Sequence, residues 1–513
     1  MLADFLGYIG SLPVPSWWYV LGLCVVTVIC QDVLFASWMY WKRPRNIRIH
    51  GPSLLFGKWW SSLWFIVKAP ELILGGYKQS DSQPFAIPAR EGHLVFVTAE
   101  DQIKEVENCP IDQLSFHQAM EDRLKVKYTF AGFEMGPIDP HDAVPIRVLK
   151  TLLRSNIPNL RPQIQDAVEQ AFETCMNDGR SASDGWKPIN TYHFSEEISL
   201  RVNNKIIFGE RLTENPDFFQ ATRGYHRQAL FAMLTSHYFP HWTHKLLVPG
   251  LLALGGAMKK IESYLTVEVA QRLHDMQEGH KEIPSDGITW VIEASTTKDQ
   301  RAVKRIVQQV LSVFFASAHQ LPVLLMFSIF RLCEHPEYTK PLIDEVETML
   351  KLPATDHYKN LPLLESFLRE TARHDPLDSL SVQRKVLKDF TFADGTFVPA
   401  GNVICVPQQA VMRDPQYYDQ PDKFLPFRFA DDPSVENGAV QKFTDLKPHF
   451  YLWGATAKPC PGRWYASAVM QQFFVHLLTK YNFKLADPKA ELTFSYTTIV
   501  SPRPGIEILL QER

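Results

Sequence analysis

Cys460 stands between two prolines in Trp453-Gly-Ala-Thr-Ala-Lys458-Pro-Cys460-Pro-Gly462-Arg463, immediately before a long apolar-periodic segment. A thiolate is the one protein ligand that pushes electron density onto a haem iron strongly enough to favour O–O cleavage. A cysteine with that task has to be deprotonated, held rigidly and kept from oxidation. The neighbouring residue types suit those needs, because Pro461 and Gly462 allow a tight turn that aims amide N–H groups at the sulfur and at the start of the following helix. Such donors stabilise the thiolate. A Cys-Pro-Gly by itself is equally a buried structural cysteine in a turn, since free cysteine is commonly core.

Two further motifs lie upstream, Glu370-Thr-Ala-Arg373 and Pro421-Asp-Lys-Phe424-Leu-Pro426-Phe427-Arg428-Phe429. Glu370 and Arg373, at i and i+3, share a helix face; alone, such a pair is commonly a solvated surface pair. All three motifs in this order and spacing resemble the cytochrome P-450 superfamily. The resemblance runs from about Gly76 to the end of the chain and is closest to the secondary-metabolism enzymes of filamentous fungi. It implies a mainly α fold with a small β region, the cytochrome P-450 fold, and haem b with Cys460 as the axial iron ligand. Arg428 would complete a buried ion triad with Glu370 and Arg373 that locks the cysteine-bearing loop. Lys458 would pair with a haem propionate and Trp453 would pack on the proximal face of the ring, with Gly462 forming the turn. Arg384 aligns with a position that commonly meets a propionate, a surface arginine being the alternative, and Arg147 carries a similar implication.

The stretch from about Gln300 to Cys333 reads as one helix, amphipathic at first and apolar nearly all round from Val310 to Phe330. A second membrane span is the alternative; the resemblance instead implies a long buried helix across the distal face of the haem. Its polar residues at Ser317, His319 and Gln320 are therefore candidates for the oxygen-binding site. Here the chain departs from its family, in which small-Gly-x-acid-Thr-Thr/Ser relays protons at this point. This sequence has Ala316-Ser317-Ala318-His319-Gln320-Leu321. An amide holds a water or a substrate but is a poor proton shuttle, whereas an imidazole that titrates near neutrality can serve. Pro322 removes its own N–H and frees the Ala318 carbonyl, so a kinked groove is expected. A polar knob satisfied within the core remains the alternative for His319 and Gln320.

The elements that must position these residues read as helical with a minority of strand. Gln83 to Pro88 and His93 to Thr98 form two strands of a small sheet across a charged turn. Leu363 to Arg373 is helical, Phe390 to Val398 a hairpin with Asp394-Gly395 at its centre, and Val403 to Val406 continues that sheet. From Trp464, the residues Ala466, Met470, Phe473, Leu477 and Tyr481 make one apolar helix face. Phe116, Tyr128 and Phe130 lie where the family's variable loop covers the pocket.

Composition fits a single large body: 513 residues, 45% hydrophobic, with a net charge of −3 that gives no footing for a nucleic-acid partner. The seven cysteines show no paired spacing, so neither a disulfide framework nor a zinc site is expected. Trp17 to Trp41 is a 25-residue stretch whose strongly polar members are Gln31 and Asp32, long enough to span a bilayer. Its ten Leu, Ile, Val or Phe residues, at about −0.45 kcal/mol each, outweigh about +3 kcal/mol for one Asp. Lys42, Arg43, Arg45 and Arg48 follow and belong on the cytoplasmic side. A cleaved signal peptide is the alternative, but Asp4 rather than a cation precedes the apolar run. The expected organisation is a luminal segment 1–16, one transmembrane helix 17–41, a basic, proline-bearing linker and membrane-proximal segment 42–75, and a haem-thiolate domain 76–513 on the cytosolic face of the endoplasmic reticulum membrane.

By resemblance, the reaction is a hydroxylation or multi-step oxidation of an apolar terpenoid, meroterpenoid, polyketide or alkaloid. Electrons would come from NADPH-cytochrome P-450 reductase, because the chain carries no G-x-G-x-x-G of its own. The departure at Gln320 leaves desaturation, rearrangement or isomerisation open, and a haem-binding protein without turnover is the reading from another class.

Overall fold

The longest helix among the described residues sets the architecture. The computed structural model describes residues 40–513 apart from 52–56, 82, 90–91, 134–143, 178–182, 240, 280–281, 355–356 and 431–440. The segment 1–16 and all but the last two residues of the anchor expected at 17–41 lie outside the described residues.

In chain order, the helices that bear on the site are α1 (Gly57–Ser80), α2 (Glu100–Asn108), α3 (Arg154–Asn177), α4 (Thr191–Asn203), α5 (Pro216–Ser236), α6 (Gly287–Ala294), α7 (Val303–Glu334), α8 (Pro362–His374) and α9 (Arg463–Lys480). α7 runs through the centre, touching α4, α5, α6, α8 and α9, and the turn at His335-Pro336 ends it. Its length and composition would let it cross a membrane, yet 67% of its most apolar window is buried inside the protein. It is therefore the core helix of the body, apolar all round because protein surrounds it.

α7 continues as one helix through Pro322, although the ring removes one hydrogen bond there. Leu321, Pro322, Leu324 and Leu325 are all buried and pack it into the core. α9 differs from expectation. Nearly all of Tyr465 to Leu478 is buried rather than one face, because α3 and the core enclose it, and Tyr481 begins a strand.

One six-stranded sheet lies beside the helical body, with β1 (Arg48–Ile49), β2 (Phe85–Ala89), β3 (Gly92–Phe96), β4 (Leu114–Ser115), β5 (Ser381–Val386) and β6 (Val403–Val406) in the order β1-β2-β3-β6-β5-β4. β2 and β3 pair antiparallel as expected, with Phe85 opposite Phe96. Val403 to Val406 does not continue the Phe390–Val398 hairpin, which is a separate two-stranded ribbon; it pairs in parallel with β3 and antiparallel with β5. Alternation within four apolar residues specifies a strand but not its partner. The segment 42–75 is no linker either. It contributes β1 and most of α1, whose Ala69, Ile73 and Tyr77 are buried against the sheet.

β5 was not legible in the sequence and matters most. Its register against β6 shifts between Ser381 and Arg384, and Val382 at the shift has φ 52°, a left-handed conformation that a β-branched residue adopts only under strain. Such a bulge re-aims the side chain that follows it. Here that side chain is Arg384, which is turned inward to 4% exposure.

Candidate functional site

α8 starts with Pro362 at its first turn, carries Glu365 near its N-terminus and Arg373 and His374 in its last turn, all in accord with the helix dipole. From it four charged side chains enter the core. Glu370 and Arg373 are fully buried. Arg373 donates from Nε to Glu370 Oε2 (2.7 Å) and from Nη2 to Oε1 (2.8 Å), and Arg428 Nε donates to the same Oε2 at 3.1 Å. The remaining Arg373 protons go to the carbonyls of Met412 (2.7 Å), Pro421 (2.8 Å) and Lys423 (3.2 Å). The structure thus brings the three expected residues together and adds a backbone grip on residues 412–425.

Glu365 and Arg369 are functional residues that sequence reasoning missed. Glu365 accepts from the Phe443 amide and from Gln471 of α9, and Arg369 Nη1 donates to the Lys442 (2.8 Å) and Asp445 (3.0 Å) carbonyls. A signal existed: Glu365, Arg369, Glu370 and Arg373 fall on neighbouring turns of one helix. Trp453 is buried, its indole N–H donated to the Phe443 carbonyl at 2.7 Å and its ring edge-on to Phe443. Glu365 therefore holds residue 443 directly while Arg369 holds residues 442 and 445 on either side of it, and residue 443 holds the root of the cysteine loop.

Within that loop the Cys460 amide donates to the Trp453 carbonyl at 2.7 Å, and Arg463 Nη1 donates to the Cys460 carbonyl at 2.9 Å. Burial pushes the thiol up, while the amides of Gly462 and Arg463 and the Arg463 guanidinium pull it back. The sulfur sits at the N-terminus of α9, the end that favours a thiolate. A Cβ at Gly462 would stand 4.0 Å from the sulfur, so any longer side chain there would grow over it.

Arg384 reaches the same region from β5. Its Nη1 donates to the Gln383 carbonyl at 2.9 Å, but its buried Nε has no partner. Lys458 is lowered from the usual lysine range by partial burial and then by the Arg384 charge, so the two cations are neighbours. Arg147 donates from Nη2 to the Ala294 carbonyl (3.0 Å) at the C-terminal end of α6.

On α7, Ala316 and Gln320 are exposed, and Ser312, Ser317, His319 and Val323 half-buried, in the midst of a buried helix. The Ser317 hydroxyl is turned back to the Phe314 carbonyl at 3.1 Å. His319 does not titrate near neutrality. Burial first, then the charges of His226 and Arg123, bring its imidazole down to about 3, so it is neutral at neutral pH, one nitrogen donating and one accepting. Its ring centroid lies 6.1 Å from that of the buried His226 on α5. Phe130 packs 5.0 Å from Phe315 of α7, and Phe116 stands 5.6 Å from the Arg384 guanidinium. Between α1, the sheet and the end of α5, Phe65, Arg123, His237, Phe239, Leu380 and Thr498 line a cavity of about 230 Å³.

Comparison with known proteins gives one answer. The family model described as Cytochrome P450 matches residues 146–510. The chain is similar to cytochrome P450 monooxygenase 151 of Postia placenta, 24% identical over 94% of this chain and 97% of the relative. It is likewise similar to cytochrome P450 monooxygenase terQ of Tolypocladium album, 25% identical over 95% and 91%. The crystal structure of the cytochrome P450DA heme domain matches in fold with a TM-score of 0.70, at 14% identity, over 91% of this chain and 98% of that one.

Glu370→Ala leaves Arg373 and Arg428 without their shared anion and is expected to destabilise the body by about 3 to 5 kcal/mol. Glu365→Ala, which frees only one amide and one side-chain amide, costs about 1 to 3 kcal/mol. Denaturant unfolding followed by tryptophan fluorescence checks the order; equal, small losses would show that the Glu370 cluster holds nothing.

Proposed function

Since this chain belongs to the cytochrome P450 family and is a monooxygenase of that family, we propose that Cys460 is its axial haem ligand and that α7 forms the roof over the reacting face. Haem with a cysteine thiolate ligand, the family's cofactor, supplies the redox and dioxygen chemistry when bound. The residues present fit it. The observation that carries the reading is the Cys460 sulfur at the start of a buried helix, with the amides of Gly462 and Arg463 turned to it. The unpartnered Nε of Arg384, beside Lys458, fits the carboxylate of a propionate.

His319 and Gln320 do the polar work on the distal side in this reading. Gln320 offers a carbonyl acceptor and an amide donor to a water or a substrate. His319, neutral and close to His226, can accept on one nitrogen and donate from the other. The substrate is an apolar small molecule of the fungal secondary-metabolite kind, and the cavity lined by Phe65, Phe239 and Leu380 supports an apolar entrance for it.

Electrons come from NADPH through a separate flavoprotein reductase. A groove of about 460 Å³ beside the start of α9 supports this, with Arg154, Arg161, Lys359 and Lys442 outnumbering Glu365 and Asp445. Trp464 at its floor lies between the guanidinium groups of Arg154 (3.8 Å) and Arg463 (3.5 Å). Membrane attachment through residues 17–41 has support from the exposed Trp64 and Val67 on α1 and the exposed Trp242, Leu246 and Leu254. Their neighbours Phe65, Ile66, Phe239 and His244 line one cavity, so its mouth opens beside an apolar surface.

Incubation with a reductase and a fungal metabolite pool tests the reading: oxygen gain in a product supports it, and mass loss or isomerisation would point to the chemistry that the missing alcohol leaves open. Cys460→Ser is expected to abolish the thiolate-type band of the reduced carbon-monoxide complex, because an alcohol stays protonated where a thiol ionises; a full-height band sinks the assignment. Gln320→Leu is expected to slow product formation by about 100-fold and to divert electrons to hydrogen peroxide, while Gln320→Thr keeps them coupled. If both instead weaken substrate binding by about 1 kcal/mol with coupling unchanged, Gln320 anchors the substrate. Deleting residues 1–41 is expected to make the protein extractable by alkaline carbonate with the carbon-monoxide spectrum intact. Continued resistance would return α7 to consideration as a span.

A further inference from the structure

Glu107 has no part in the site as described so far. It occupies the last turn of α2, where no basic side chain accompanies it. A carboxylate there faces the negative end of the helix dipole, and this one is only 5% exposed, so position and burial both work against its charge. What compensates it belongs to another part of the chain. The Ala457 amide donates to Glu107 Oε1 at 2.9 Å, the Lys458 amide to the same oxygen at 3.4 Å, and the Thr456 hydroxyl to Oε2 at 3.4 Å. These three donors immediately precede Pro459-Cys460.

The other restraints on this region act elsewhere. Glu370, Arg373 and Arg428 hold residues 412–425, Glu365 and Arg369 hold residues 442–445, and the Cys460 amide closes the loop on Trp453. Glu107 meets the limb between Trp453 and Cys460 from outside, carried on a helix that Ile103 and Val106 anchor in the core beside the sheet. Arg384 and Lys458 both lie within range of its charge.

We propose that Glu107 is a positioning residue for Cys460: it fixes residues 456–458 from α2, so setting where the sulfur is presented, and its charge offsets Arg384 and Lys458 on that side of the site. The proposal rests on the reading of Cys460 as the haem ligand. A structural strut would need only the hydrogen bonds of α2; a positioning residue must also alter the electronic surroundings of the sulfur.

The test compares the full-length haem-loaded protein with Glu107→Gln and Glu107→Ala. Three quantities are read: the rate at which the reduced carbon-monoxide complex loses its thiolate-type band, the ferric–ferrous midpoint potential, and the thermal midpoint. Glu107→Ala is expected to lose the band several-fold faster than the parent. Glu107→Gln, whose amide oxygen still accepts from Ala457, is expected to restore most of the band's persistence while moving the potential in the positive direction, because one negative charge is gone. Should Glu107→Ala not fold, the potential shift of Glu107→Gln decides alone. Parent-like band decay and potential in the variants that fold, whatever their thermal midpoints, overturn the proposal. A parent protein without the band would instead sink the Cys460 assignment, an outcome read before any Glu107 variant is made.

Discussion

Glu370 and Arg373 are held with no exposure to solvent, and that burial is the constraint on which the rest depends. Taking such charges out of water is costly, and their mutual attraction compensates only when every remaining lone pair and proton finds a partner. Two of the five Arg373 hydrogen bonds stay within α8, on Glu370, and the chain from Met412 to Lys423 accepts the other three at backbone carbonyls, while Glu370 also accepts from the Leu425 amide and Arg428. The cluster therefore does more than link three side chains. It dictates the path of the segment leading to the cysteine, because any other path would leave guanidinium protons unsatisfied in the core.

The same logic continues along the chain toward Cys460. Glu365 and Arg369 fasten residues 442–445, Trp453 hangs from Phe443, and the loop closes on the Trp453 carbonyl. Each step passes a fixed position from a rigid helix to an irregular segment through hydrogen bonds in a low-dielectric interior, where such bonds are strongest. The sulfur is thereby delivered to the N-terminus of a buried helix, the one place where amides and dipole oppose the effect of burial on its ionisation.

The surroundings of α7 are built on different terms. α7 is held largely by apolar packing and stays helical through Pro322; Ser312, Ser317, His319 and Gln320 lie on its accessible stripe, while Gln308, Gln309 and Ser328 are buried. That environment turns His319 into a neutral imidazole rather than a titrating one. A proton relay through it would proceed by exchange between a donating and an accepting nitrogen, a different device from the acid and alcohol that the family resemblance leads one to expect at this point.

The sequence by itself determined the chemical motifs and the helices α7, α8 and α9; α1 to α6 were not legible in it. Cys460 in its proline-flanked turn, the spacing of Glu370 and Arg373, and the apolar run of α7 are all local patterns, fixed by the chemistry of a few adjacent residues and by helical periodicity. The sheet was legible only in part. β2, β3 and β6 appear as apolar runs, but pairing is a contact between distant segments, and nothing in Val403 to Val406 names β3 as its neighbour. Only the tertiary structure decided where the isolated charges go. Arg384 faces inward because β5 shifts register at a strained Val382. Glu107 acquires a role only when α2 is docked beside Thr456 to Lys458, and His319 reads as titratable until it is set beside the buried His226. Burial and partnership are properties of the assembled core, and they, rather than residue type, fix what a charged side chain does.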